Sequence, residues 1–142
     1  MIRGLDVLSR NISLLQKRQE TTSGNIANAN TTRTESGEPY RRKQVVFQER
    51  AVDFEEALKN EQSRVEGGGV RAAKVVESAR DFVPVYDPSH PDANEEGYVL
   101  MPNVDTTEER IDLMAASNAY EANLTALSVV KALALKALEI GK

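Results

Sequence analysis

Apolar side chains in this chain recur at helical spacing near both ends and at strand spacing between them. Leu5, Leu8, Ile12, Leu15, Gln19, Thr22 and Ile26 follow alternating steps of three and four. That period predicts an amphipathic helix from Ile2 to about Ala29, its stripe apolar in the first half and polar at Gln19 and Thr22. A second stripe follows Pro102, through Leu113, Ala116, Tyr120, Leu124, Leu127, Val130, Ala134 and Leu138. Asp105 or Thr106 is placed to cap this second helix. Glu108 and Glu109 fall in its first turn, where carboxylates favour the positive end of the dipole. From about Val129 onward the segment is apolar on more than one face. A helix with such a surface needs several neighbours, and one partner helix cannot supply them.

The region between reads differently. It holds all five prolines and short runs of β character: Lys43–Phe47, Val70–Val76 and Phe82–Tyr86. Turn signals separate them at Ser36-Gly37, Gly67-Gly68-Gly69 and Asp87-Pro88-Ser89-His90-Pro91-Asp92. Phe54–Arg64 reads as a short helix or a loop with little to bury. The expected fold is mainly α with a β-rich insert. Long N- and C-terminal helices pair as an antiparallel coiled coil, with an irregular β and loop region between them. The helical domain is discontinuous, 1–30 plus 105–142, and the insert is 31–104.

Composition narrows the function. At 142 residues the chain has room for one ordinary domain. Hydrophobic residues make up 40% but aromatics only 5%, which favours helices packed on each other over a ring-filled core. A net charge of −4 argues against nucleic acid as a partner, because counterion release needs a basic face. The one basic cluster, Arg41-Arg42-Lys43, reads as a solvated strand edge. The absence of cysteine excludes disulfides, thiolate nucleophiles and cysteine metal sites. The opening Met1–Asp6 does not lead into an apolar run, so no cleaved secretory signal is expected. Ala126–Ile140 is interrupted by Lys131, Lys136 and Glu139, so direct membrane insertion is not expected either.

Few residues invite chemistry. Asp87, His90 and Asp92 lie close together, but zinc wants three or four ligands at workable spacing. The simpler reading is a rigid turn, in which Pro88 and Pro91 fix φ and Asp87 accepts a following main-chain N–H. Gly67–Gly69 lacks the lysine and hydroxyl of a phosphate loop. The triplets beginning at Asn30 and Asn123 match the glycosylation pattern and are read as chance. No catalytic residue, metal or cofactor is expected. Asn25, Asn28 and Asn30 cluster at the first helix end, where Asn favours a stop and turn, with capping the main role of Asn28 and Asn30. Tyr120 lies on the second stripe as a packing residue with its hydroxyl bonded at an interface. Asn123 lies near that stripe, where a polar side chain can fix register.

Ser23-Gly24-Asn25-Ile26-Ala27-Asn28-Ala29-Asn30-Thr31 resembles the N-terminal motif of flagellar rod and hook proteins, with Gly24 in place of the commoner Asn or Ser. Thr32–Thr34 with Gly37–Lys43, Val85–Asn94 with Glu96–Val99 and Pro102–Val104, and Ala119–Asn123 with Lys136–Leu138 resemble further segments of the family. The match is strongest with its proximal-rod branch. The resemblance implies a structural subunit of the basal body that self-assembles into a helical tube transmitting torque. It implies type III export without a cleaved signal and a place in the cell envelope and periplasmic space. Implied partners are further copies, the proximal rod proteins FlgB and FlgF, the distal rod protein FlgG and the rod–ring adaptor FliE. It also implies that Ser23, Asn25, Ile26, Asn28, Asn30 and Thr31 form the motif turn. By the same resemblance, the loop of Tyr86, Asp87, Pro88, His90, Pro91 and Asp92 touches a neighbouring subunit. Helix packing and subunit contact fall to Leu5, Leu8, Ile12, Leu15, Leu113, Tyr120, Asn123, Leu124, Leu127, Val130 and Leu138.

Rival readings make different demands. Another rod subunit of the same family, FlgB or the distal type, would lack the Asp87–Asn94 segment. A soluble helical export adaptor would form a closed dimer at micromolar concentration. A small hydrolase would need a nucleophile and base, and one histidine with no cysteine leaves little to build them.

Overall fold

The computed structural model describes residues 2–49 and 70–140. Phe54–Arg64 and Gly67–Gly69 lie outside the described residues. Helix α1 spans Ile2–Ala27, and strand β1, Lys43–Glu49, pairs antiparallel with β2, Val70–Glu77. A second antiparallel pair joins β3, Val83–Tyr86, to β4, Tyr98–Met101; helix α2 then runs from Thr106 to Ile140. The mainly helical fold with a small β-containing insert matches the expectation from sequence. β4 is the described strand that the pattern did not single out: it carries one β-branched residue, Val99, where the equally short β3 carries two.

The helices end where local chemistry stops them. Asp105 is the N-cap of α2: its Oδ1 accepts the N–H of Thr107 at 2.8 Å and of Glu108 at 3.2 Å. Its main-chain oxygen accepts the N–H of Glu109 at 3.0 Å, the first helical bond. α1 ends as Asn28 turns its side-chain amide back to the oxygen of Gly24 at 2.9 Å, while its main-chain oxygen accepts the N–H of Thr31 at 3.1 Å.

The two helices run antiparallel. Asn25 meets Glu109, Arg18 meets Asp112, Gln19 meets Ser117 and Gln16 meets Tyr120, so residue numbers fall in α2 as they rise toward the end of α1. At 1.5 Å per residue, the 26 residues of α1 span about 39 Å and the 35 of α2 about 52 Å. The pairing therefore leaves the end of α2 with little of α1 opposite it.

Very little apolar surface is buried. Among the described residues, Ala29, Val99 and Ala116 are the buried hydrophobic ones, against the polar Thr22, Asn25, Arg42, Ser78, Asn103 and Glu109. The interior where α1, α2 and the insert meet is thus a hydrogen-bonded junction. Hydrophobic burial, which in most proteins drives folding more than any other effect, is small in the single chain.

Candidate functional site

Asn25 lies at the centre of the junction and is 1% exposed. Its Oδ1 accepts the Lys43 N–H at 2.9 Å and the Tyr40 hydroxyl at 3.0 Å. Its Nδ2 donates to the Lys43 oxygen at 2.8 Å and to Glu109 Oε2 at 2.9 Å. An asparagine side chain offers two donors and two acceptor positions, and all four are used. Toward Lys43 the amide bonds both N–H and C=O, as a neighbouring strand would. The asparagine cluster was expected to serve mainly as a helix stop. Asn28 does so, but Asn25 ties α1 to the insert and to α2.

Arg42 departs from the expected solvated edge. Its Nε donates to Glu109 Oε1, and its Nη2 lies 3.6 Å from Glu108 and 3.7 Å from Asp112. The Arg42 side chain is 5% exposed because the chain entering β1 crosses the first two turns of α2, where three carboxylates stand. Arg80 bonds Glu108 at 3.0 Å and Arg18 bonds Asp112 at 3.2 Å, so three arginines face three acids. Asn103 completes the floor: its Oδ1 accepts the Arg42 N–H at 2.7 Å, and its Nδ2 donates to the Arg80 oxygen at 2.8 Å. Among the described residues, no buried side-chain nitrogen or oxygen lacks a partner. Burial, then the nearby charges of Glu109 and Glu77, raise the Tyr40 hydroxyl above its ordinary pKa, so it stays a donor to Asn25.

The Asp87–Asp92 loop is held by its own polar groups. Asp87 Oδ1 accepts the Ser89 hydroxyl at 2.6 Å and the Ser89 N–H at 3.1 Å, and these bonds lower its pKa. His90 Nδ1 accepts the Asp92 N–H at 3.0 Å, and Asp92 accepts the Thr32 hydroxyl at 2.8 Å, with Arg33 3.6 Å away. Pro88 and Pro91 are exposed, and Tyr86 stacks edge-on against Tyr98 with centroids 5.3 Å apart. Among the described residues, no three ligating side chains gather around a common point for a metal.

The remaining predicted residues divide by depth. Ser23 and Asn30 are exposed, Ile26 and Thr31 are partly so, and the Thr31 hydroxyl donates to Asn28 Oδ1 at 3.2 Å. Leu5, Leu8, Ile12, Leu15, Leu113, Tyr120, Leu127 and Val130 are half-buried between the helices. The Tyr120 hydroxyl accepts from Gln16 at 3.4 Å, while Asn123 donates to the Ala119 oxygen of its own helix at 2.7 Å. Leu124 and Leu138 are exposed, Leu138 at 71%. Ile111, Met114, Val129, Leu133, Leu135 and Ile140 are exposed as well. On a helical projection Ile111, Ala115, Ala122, Val129, Leu133 and Ile140 fall near one line, roughly opposite the stripe that meets α1. α2 is therefore a helix with two apolar faces, one of which the chain itself leaves bare.

Glu109 and Arg42 are the site residues that sequence reasoning missed. A glutamate in a helix first turn and an arginine in a basic triplet both have ordinary exposed readings. Their pairing spans 67 residues and has no local signal.

Two family models match the chain: "Flagella basal body rod protein" over residues 5–33 and "Flagellar basal body rod FlgEFG protein C-terminal" over residues 95–140. The matched segments take in most of α1 with the turn that ends it, and β4 with all of α2, so the class is that of flagellar rod proteins. A relative from Bacillus subtilis (strain 168) is 43% identical, covering 97% of this chain and 96% of its own. One from Salmonella typhimurium is 38% identical, with 96% and 95% covered, and one from Borreliella burgdorferi 34%, with 99% and 97% covered. Each bears the name flagellar basal-body rod protein FlgC. The chain belongs to the FlgC family of rod proteins, structural subunits of the flagellar basal body that assemble with other proteins of that body.

Proposed function

We propose that this chain is a subunit of the proximal rod, building a helical tube that transmits torque across the cell envelope. The observation that carries this reading is the bare apolar face of α2, from Val129 to Ile140 at 86% exposure, which belongs against other helices. Head-to-tail contacts that do not close on themselves generate a helix rather than a ring, and a shaft is such a helix.

In this reading residues 1–30 and 105–142 form the inner helical layer, and 31–104 form an outer insert. Leu5, Leu8, Ile12, Leu15, Leu113, Tyr120, Leu124, Leu127, Val130 and Leu138 complete their burial against neighbouring subunits, and Asn123 helps set register there. The Ser23–Thr31 turn and the loop from Tyr86 to Asp92 meet adjoining proteins. The partners are further copies, FlgB, FlgF, FlgG and FliE. The subunit reaches the periplasmic space through the flagellar type III export apparatus and needs no cofactor.

Deletion of the gene tests the reading. Motility and every structure distal to the rod should vanish and return on complementation with the intact gene. Hooks and filaments persisting in the deletion strain would contradict it.

A further inference from the structure

The edges of the described strands are not alike. On β3 the outward residues are Pro84 and Tyr86, because the Asp87 N–H turns toward β4 to bond Gly97, and a proline leaves that edge without a donor. On β4 the Tyr98 N–H and C=O are both taken by Asn94, which leaves Leu100 alone. β2 carries the bulge, with Ala73 unmatched between the Val46–Lys74 and Phe47–Ala72 pairs, and a bulge twists an edge away. β1 differs from all three. The Arg42 C=O accepts from Ser78 across the sheet, whereas the Lys43 N–H and C=O bond the Asn25 amide on the opposite side. Main-chain groups alternate in direction along a strand, so those of Val45 and Phe47 point the same way as those of Lys43. Asn25 serves only Lys43 and leaves the other two open.

We propose that this edge receives a third strand: an uncharged, extended segment of a partner protein, seated between β1 and α1 and bonded to the main chain of Val45 and Phe47. The edge is one side of a groove of about 340 Å³, whose other side is Arg18, Thr21 and Thr22 of α1. A two-stranded ribbon is marginal by itself, and a strand added at an edge is held through its main chain. The charges along the groove are already met: Arg42 by Glu109, Arg18 by Asp112, and the Lys43 ammonium by the Tyr40 ring 5.7 Å away. Val46 and Phe47 leave apolar surface at its rim, 44% and 39% exposed. An occupant therefore needs main-chain groups and apolar side chains, not charge. Thr22 is 5% exposed, and its hydroxyl bonds no described residue. No buried side-chain oxygen among the described residues lacks a partner, so this one stays open, toward the groove it lines. There it can bond the incoming segment. A second copy is a poor donor of that segment, because its β3 and β4 edges are closed, its β2 edge is bulged and its β1 edge is walled by its own α1.

The proposal rests on the rod reading for where the partner is met, so purified intact basal bodies are the place to test it. Residue-resolved hydrogen exchange there should find the Val45 and Phe47 amides as slow, within about tenfold, as the Gln44 and Val46 amides that face β2. Phe47 replaced by p-benzoylphenylalanine keeps an aromatic ring at the groove, and irradiation should join the chain to one stretch of a different polypeptide. T22V, which keeps the shape of the side chain, should lower the yield of that adduct about three- to tenfold, the worth of one hydrogen bond. Val45 and Phe47 amides exchanging much faster than their neighbours would overturn the proposal. So would an adduct of two copies of this chain, no adduct at all, or an adduct that T22V leaves undiminished. A chain missing from basal bodies would sink the rod reading and this proposal with it, whereas a chain present with an open β1 edge would sink this proposal alone.

Discussion

Asn25 and Asp105 show how single side chains hold this molecule where apolar burial does not. Removing the Asn25 amide strands a strand N–H and C=O, a tyrosine hydroxyl and a carboxylate oxygen, and each stranded buried group costs roughly 1–3 kcal/mol. At Gly24 beside it, a Cβ would lie 4.0 Å from the Tyr40 hydroxyl, an ordinary contact, so the packing there does not require glycine. Asp105 works through charge as well as geometry. The N–H groups of Glu108 and then Thr107 hold its carboxyl below the ordinary 3.8. Its folded pKa is depressed, so the cap's charge stabilises the protein above the unfolded value, and that stabilisation is lost as pH falls through the folded one. D105N keeps a capping oxygen but cannot titrate. The difference in Tm between the parent and D105N should shrink as pH drops from 7 to below 3.8. A gap independent of pH over that range would contradict the charge account.

At the scale of elements, the helices were legible in the sequence and the junction was not. Stripes such as Leu5–Leu8–Ile12–Leu15 repeat locally, so their period survives without knowledge of the rest of the chain. The cap at Asp105 was legible for the same reason. Arg42 and Glu109 became buried partners through a meeting that no local pattern encodes, and β4, with a single β-branched residue, showed little strand signal. The β3–β4 hairpin depends on a backbone feature instead. Gly97 has φ 81°, and a Cβ there would lie 2.9 Å from the Tyr86 ring and 3.2 Å from Pro88. G97A should cost roughly 1–2 kcal/mol from the left-handed backbone alone. The ring clash adds to that and displaces Tyr86 from Tyr98. Thermal melts and the tyrosine ring resonances report both. An unchanged Tm with unmoved ring signals would show that the turn tolerates a side chain.

Over the whole molecule, satisfied and bare surface lie at opposite ends of the helix pair. The junction of α1, α2 and the insert is satisfied within the chain by a closed set of polar bonds, whereas every described residue of α2 beyond Ala134 is exposed. One end of the helix pair is therefore complete and the other presents apolar surface, the arrangement expected of a subunit that assembles with others. The natural chain contains no cysteine, so a single one at Leu133 is a unique reporter on the bare face. Thiol labelling of L133C in purified subunits and in intact basal bodies measures directly whether neighbours cover that face. Rapid labelling of the free subunit is expected, with strong protection and cross-links between adjoining subunits in the basal body. Equal labelling in both would contradict assembly through the bare face of α2.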